Sequence, residues 1–162
     1  MTDLIATFEE AVDQGGASVT EALAACDARL VDAPDDVEAL VFRGALLVLS
    51  GRDAFLPWTR ARLVREGLAL MDEVVDRARA TGGLPGLRLL VIRALSHARL
   101  PRLLHSPRRV RALAEEILSH TSYAELPHII RTEIDAHLRE ALRRTGENTS
   151  APFETKTDAT PA

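Results

Sequence analysis

The chain has 162 residues, enough for one domain with a sizeable core, and is 46% hydrophobic but only 4% aromatic. Its wealth of alanine, leucine and arginine favours helix over sheet, and no run reaches the roughly 18 apolar residues a membrane span needs. A lone cysteine, Cys26, excludes an intramolecular disulfide, and the acidic start "MTDLIATFEEAVDQ" lacks the basic and long apolar regions of a signal peptide, so a soluble protein of a reducing cytoplasm, with no membrane, is expected.

The net charge of -4 is unevenly spread: residues 1–57 carry three arginines against eleven acids, residues 58–111 twelve arginines against four acids, and residues 112–162 five bases against nine acids. A basic middle can attract an acidic partner or a phosphate. The plainer expectation is that the acidic N-terminal helices pack against it and neutralise it, so nucleic acid is not the expected partner.

In chain order the pattern is helical throughout. Leu4, Ile5, Phe8 and Val12 share one face of a first helix, which Gly15-Gly16 stops. Ser18-Val-Thr-Glu21 fits a capping box opening a second helix, whose stripe is Val19, Leu23, Cys26 and Leu30. Cys26 therefore reads as a small core residue rather than a reactive thiol. A third helix begins near Asp35 or Asp36 and ends near Gly51, and its apolar run from Ala39 to Leu49 is interrupted only by Arg43 and Gly44, so it must be buried on most sides.

The next helix runs from about Pro57 to Ala80, with Leu63, Gly67, Leu70, Met71, Val74 and Ala78 as its inner face. "TGGLPG" (81–86) breaks it. A helix follows from about Leu87 to Arg99, then a connector in which Ser106 caps a helix starting at Pro107 and running to about His120. Val110, Leu113, Ala114 and Ile117 form its inner face. The last helix spans about 124–145 on a stripe of Leu126, Ile130, Ile134, Leu138 and Leu142, which either closes the monomer or meets its counterpart in a homodimer. After Gly146 the chain has almost no apolar content and is expected to be disordered. The reading is all-α, about seven helices in a single domain over 1–145 with a tail over 146–162.

The middle of the chain contains a duplication. "LVFRGA" (40–45) aligns with "LVIRAL" (90–95), and "LMDEVVDR" (70–77) with "LAEEILSH" (113–120). The first copy holds seven extra residues, which fall around "RDAFLPWTRARL" (52–63). Gly44 and Gly51, with Ala39 ahead and "GLALMDEVV" after, give residues 35–120 a resemblance to the tetratricopeptide-repeat (TPR) family of antiparallel helical hairpins. That resemblance implies a non-catalytic protein–protein interaction module or adaptor, binding a protein or peptide segment on the face of each first helix. The matching groove positions are Val41, Ala45 and Val48, then Val91, Leu95 and Ala98, and none clamps a carboxylate. The groove takes an apolar segment, or a flanking helix of the chain fills it.

Arg43 and Arg93 are the charges within the most apolar runs, and a buried guanidinium must find a carboxylate or carbonyls. The duplication suggests Asp72 or Glu73 for Arg43 and Glu115 or Glu116 for Arg93. The alternative is a small enzyme or ligand carrier in which Arg43 and Arg93 hold an anion between the repeats. Trp58 is the single tryptophan. With Phe55, Arg60, Arg62 and Arg65 it forms the candidate partner-binding surface, because tryptophan and arginine anchor interfaces; otherwise Pro57 opens the helix and Trp58 lids the core. Arg99, Arg102, Arg108, Arg109 and Arg111 around His105 make a second basic cluster, fit for a phosphate or simply solvated.

Glu125 and His128 have the E-x-x-H spacing of di-iron bundles but lack a second copy. Glu116 with His120 and Glu133 with His137 are spaced for i,i+4 surface contacts. No metal motif or phosphate loop is present, so no metal and no cofactor are expected, and nothing favours an enzyme over a binding module.

Overall fold

The computed structural model describes residues 3–98, 100 and 107–144. Among the described residues there are nine helices and no strand. The chain divides into two compact units, Met1–Thr81 and Gly82–Ala162. The expected disordered tail over 146–162 lies outside the described residues.

The first unit begins with α1 (Leu4–Gln14), capped by the Asp3 carboxylate, which accepts the Ile5 and Ala6 amides at 3.0 and 3.4 Å. Gly15 and Gly16 both adopt positive φ, 67° and 54°, which only glycine takes without strain, and turn the chain into α2 (Ala17–Asp32). This displaces the expected capping box. Gly16, not Ser18, stands at the N-cap, and the Ser18 hydroxyl donates to Gln14 Oε1 at 3.2 Å. The turn is tight enough that the helix starts before the serine.

Asp36 caps α3 (Val37–Asp53) by accepting the Ala39 amide at 3.1 Å. α3 is the centre of this unit, with Ala39, Val41, Phe42 and the run from Gly44 to Leu49 all buried. Phe8 of α1 stacks on Phe42 with ring centroids 4.6 Å apart. After Ala54, Phe55 and Leu56 the chain re-enters helix as α4 (Pro57–Glu73), which packs along α3 in the opposite sense. Glycines permit this pairing: a Cβ on Gly44 would lie 2.7 Å from Met71 Cγ and 2.8 Å from the Gly67 carbonyl, and one on Gly51 would lie 2.8 Å from Val64 Cγ2.

Val74 interrupts the expected 57–80 helix, with φ -99° and ψ 0°, leaving α5 (Val75–Thr81) as a separate element. The break is slight, since the Val74 amide still reaches the Leu70 carbonyl at 3.4 Å and its own carbonyl accepts from Ala78 at 2.9 Å. The inner face is Val64, Gly67, Met71, Val74 and Ala78, while Leu63 and Leu70 are half-buried. The stripe therefore lies one residue further round than expected at its start.

The second unit opens with α6 (Gly83–Ala98), four residues earlier than expected from the glycine-rich stretch. Gly82 and Gly83 alone make the turn, at φ 63° and 55°. Pro85 sits in the first turn of α6, where no intrahelical amide bond is lost. α7 (Pro107–Ser119) buries Val110, Leu113, Ala114 and Ile117, the face read from its spacing. The assignment of Ser106 as its cap lies outside the described residues.

The final stretch is two helices, α8 (Thr121–Glu125) and α9 (His128–Arg144), in place of one from 124. Pro127 makes the division: it has no amide to continue α8, and it holds Leu126 extended at φ -64° and ψ 145°. The Pro127 carbonyl then accepts the Arg131 amide at 3.1 Å to start α9. Tyr123 ties the two together by donating its hydroxyl to the Asp135 carboxylate. Burial and this bond raise the Tyr123 pKa. α9 packs against α6 and α7 and buries Leu138, Ala141 and Leu142, whereas Ile129 is 73% exposed and Ile130 is also exposed. The apolar stripe read on this helix is thus used in its C-terminal half.

Candidate functional site

The stretch 52–63 is not a loop insertion. Arg52 and Asp53 end α3, three residues turn the chain, and Pro57 onward is already α4, so most of the stretch lies in helix. Pro57 at the first helical position removes an amide that would have no partner, and Leu56 stands at the N-cap without a side-chain bond. The Arg60 guanidinium closes the turn, with Nη2 donating to the Ala54 carbonyl at 3.0 Å, and the Arg60 amide bonds the Leu56 carbonyl at 3.0 Å.

This geometry turns the aromatic residues outward. Phe55 is 95% exposed and Trp58 68%, with Leu56 also exposed beside them. Trp58 therefore does not lid the core. At 100° per residue, Trp58, Arg62 and Arg65 fall on one face of α4, whereas Arg60 lies in register with the buried stripe Val64, Gly67 and Met71. The structure thus brings Trp58, Arg62 and Arg65 to one exposed face of α4, leaves Phe55 exposed in the turn just before it, and assigns Arg60 to holding the hairpin tip together. Arg65 donates Nε to the Ala61 carbonyl at 3.2 Å, and Arg62 approaches Glu66 at 3.8 Å, a long contact between two exposed groups. Arg52 is held by its neighbour Asp53 at 2.8 Å, which keeps the Asp53 carboxyl below its ordinary range.

Sequence reasoning missed Leu56. The signal was its place between Phe55 and Pro57 in a turn too short to fold side chains inward. It also missed Ile129, which stands one position off the stripe of α9 and so faces away from the core by helical periodicity.

Comparison with models of known protein families, with curated proteins and with solved structures finds no match.

The other expected positions separate. Val41, Ala45 and Val48, the groove positions of the first copy, are buried, as is Ala98, while Val91 and Leu95 are half-buried. Arg43 is not enclosed: its side chain is 29% exposed, and its Nε donates to Asp27 Oδ1 of α2 at 2.7 Å rather than to Asp72 or Glu73. α2 packs against α3 on that side and supplies the nearer carboxylate. Arg93 is buried on α6. Arg29 with Asp36 and Arg77 with Asp35, each at 2.8 Å, add to this set, and of these three arginines only Arg77 belongs to the basic middle. Of the second basic cluster, Arg99, Arg102 and His105 lie outside the described residues, while Arg108 and Arg109 are exposed on α7.

The histidines and the cysteine have structural surroundings. His120 caps α8, its Nδ1 accepting the Ser122 amide at 3.2 Å, instead of pairing with Glu116 as an i,i+4 contact. His137 Nδ1 meets the Glu133 carbonyl at 2.9 Å, which places a proton on that nitrogen and directs the ring to the backbone rather than the carboxylate. Glu125 and His128 lie on different helices, so their spacing forms no E-x-x-H face. Among the described residues no three His, Cys, Asp or Glu side chains gather to hold a metal ion. Cys26 is buried, and burial together with Asp27 pushes its pKa to about 11, so it is a thiol at neutral pH. Among the described residues no helix is long and apolar enough to cross a membrane.

Proposed function

We propose that this protein is a non-catalytic protein–protein interaction module, an adaptor built on TPR-like antiparallel hairpins, which grips a partner protein at the tip of its first hairpin. The observation that carries this reading is the outward display of Phe55 and Trp58, at 95% and 68% exposure, beside Arg62 and Arg65. In a chain so poor in aromatic residues, leaving two of them in water forgoes a large burial gain, and such a display marks a contact surface. What supports the TPR-like part is the close glycine packing of the antiparallel pair α3 and α4; the aligned segments 40–45 and 90–95 share burial only at Gly44 and Ala94. The buried state of Val41, Ala45 and Val48 moves the binding surface from the family's groove to the tip. A cytoplasmic setting belongs to the same proposal and fits the free Cys26. The anion-carrier alternative is weakened by the pairing of Arg43 with Asp27.

Affinity capture with crosslinking mass spectrometry tests the reading. The expected crosslinks from a captured partner cluster over residues 52–66 and vanish in the Phe55→Ser/Trp58→Ala variant, whose circular dichroism stays that of the parent. Partner crosslinks confined to other faces, or capture indifferent to the substitutions, overturn it.

A further inference from the structure

The hairpin tip has a chemistry that selects its partner. We infer that its occupant is a short acidic segment of another protein, helical when bound, with one large apolar side chain against Phe55 and Trp58 and carboxylates four and seven residues along that meet Arg62 and Arg65. This inference rests on the reading of the tip as a protein-binding surface.

The spacing comes from α4 itself. Arg62 and Arg65 stand about 6 and about 10 Å beyond Trp58 along the helix axis, at 1.5 Å per residue, and on the same face. A partner helix lying along that face has the same pitch, so its complementary charges recur at the same steps. The side chains are suited to it. Arg60 is exposed but its guanidinium is engaged at the Ala54 carbonyl, whereas the Arg62 side chain is 65% exposed and only loosely engaged with Glu66 at 3.8 Å. Arg65 is exposed and uses Nε on the Ala61 carbonyl. From residue 54 to residue 65 there is no acid.

Charge also decides against larger anions. Residues 1–81 hold eight arginines and fifteen acids, a net of -7, so the unit as a whole repels a nucleic acid or an anionic lipid surface. Beyond about 8 Å at physiological salt that field is screened, and a short segment senses the local arginines instead. A peptide with one anchor and two carboxylates fits these terms; a polyanion does not.

The test is a selection of 14-residue display peptides, each with one fixed large apolar residue, on the immobilised full chain. The expected winners carry Asp or Glu four and seven positions from the anchor. Because Trp58 is the single tryptophan, a synthetic winner should blue-shift and saturate its emission. Binding should weaken at least tenfold when both acids become glutamine, or when Arg62→Gln and Arg65→Gln are introduced together. Selection of no peptide, winners without acids at those steps, or equal affinity for the double arginine variant overturns the inference. So does an emission shift produced by phosphatidylserine vesicles instead of peptide, or by raising the protein concentration alone, which would point to a membrane or to a second copy. If the double arginine variant keeps its partner crosslinks at the tip while Trp58→Ala loses them, the acidic partner is wrong and the contact surface stands. If both keep them, the surface itself is wrong.

Discussion

The backbones of Gly44 and Gly67 face one another across α3 and α4 at a distance that leaves no room for a Cβ on either side. A methyl group on Gly67 would press on the Gly44 carbonyl, on Leu47 and on Val48, and backbone cannot rotate aside as a side chain does. Overpacking of this kind costs about 1–3 kcal/mol or more, and the better helix propensity of alanine returns about 1 kcal/mol. Gly67→Ala is expected to be destabilising on balance. Gly44→Ala should also destabilise but cost less, because its Cβ would meet the Gly67 carbonyl at 2.8 Å, whereas a Cβ on Gly67 would meet the Gly44 carbonyl at 2.3 Å. Urea unfolding of the two variants checks the order.

Phe55 and Trp58 should behave oppositely. Neither fills the core, so replacing both with small residues should change stability by less than about 0.5 kcal/mol. The Trp58 emission of the parent should lie at long wavelength and be quenched readily by acrylamide. A blue-shifted, protected tryptophan, or a variant that unfolds at clearly lower urea, would mean that the ring is packed.

The contrast between these sites shows what the sequence made legible. Short-range physics was readable: the start of α3 near Asp35 or Asp36, the glycine stop after α1 and the four-residue inner face of α7 depend on neighbours within one or two turns. The errors came where neighbouring signals compete. Gly15-Gly16 set the start of α2 ahead of Ser18, and Pro127 overrode an apolar stripe that otherwise continues from Leu126 into α9. The partner of Arg43 was not readable, because Asp27, Asp72 and Glu73 are equivalent carboxylates until packing ranks them. For the candidate surface, composition singled out Trp58, but only the three-residue turn decides that it points outward, and only helical phase separates Arg60 from Arg62 and Arg65.

Asp36 links folding to pH. Burial raises its pKa, but the Ala39 amide and the Arg29 guanidinium lower it more, and the net shift is downward. A carboxyl whose folded pKa lies below its unfolded value of about 3.9 adds stability above that pH, and the gain is lost as the pH falls through the folded value. Asp36→Ala should cost about 1 kcal/mol at pH 7, the usual worth of a cap. The gap between parent and variant should close below about pH 4. Thermal melts at pH 7, 5 and 3 would reveal a gap that persists in acid, which would mean that the carboxylate is not the source.

Cys26 carries the opposite dependence. Burial and the neighbouring Asp27 raise its pKa to about 11, above the unfolded value of about 8.5. The protonated thiol is therefore the form the fold prefers. Its contribution is complete below about pH 8.5 and is lost as the pH climbs toward 11. Since the sulfur lies in the stripe of α2 with Val19 and Ala22, a thiol reagent meets it only when that helix opens. Ellman's reagent at pH 8 should label native protein slowly, at a rate that rises with urea, and label unfolded protein at once. Cys26→Ala should flatten the alkaline side of the stability profile while costing about 1 kcal/mol for the lost sulfur contacts. Rapid stoichiometric labelling of the native chain would place the thiol at the surface and remove the basis for both expectations.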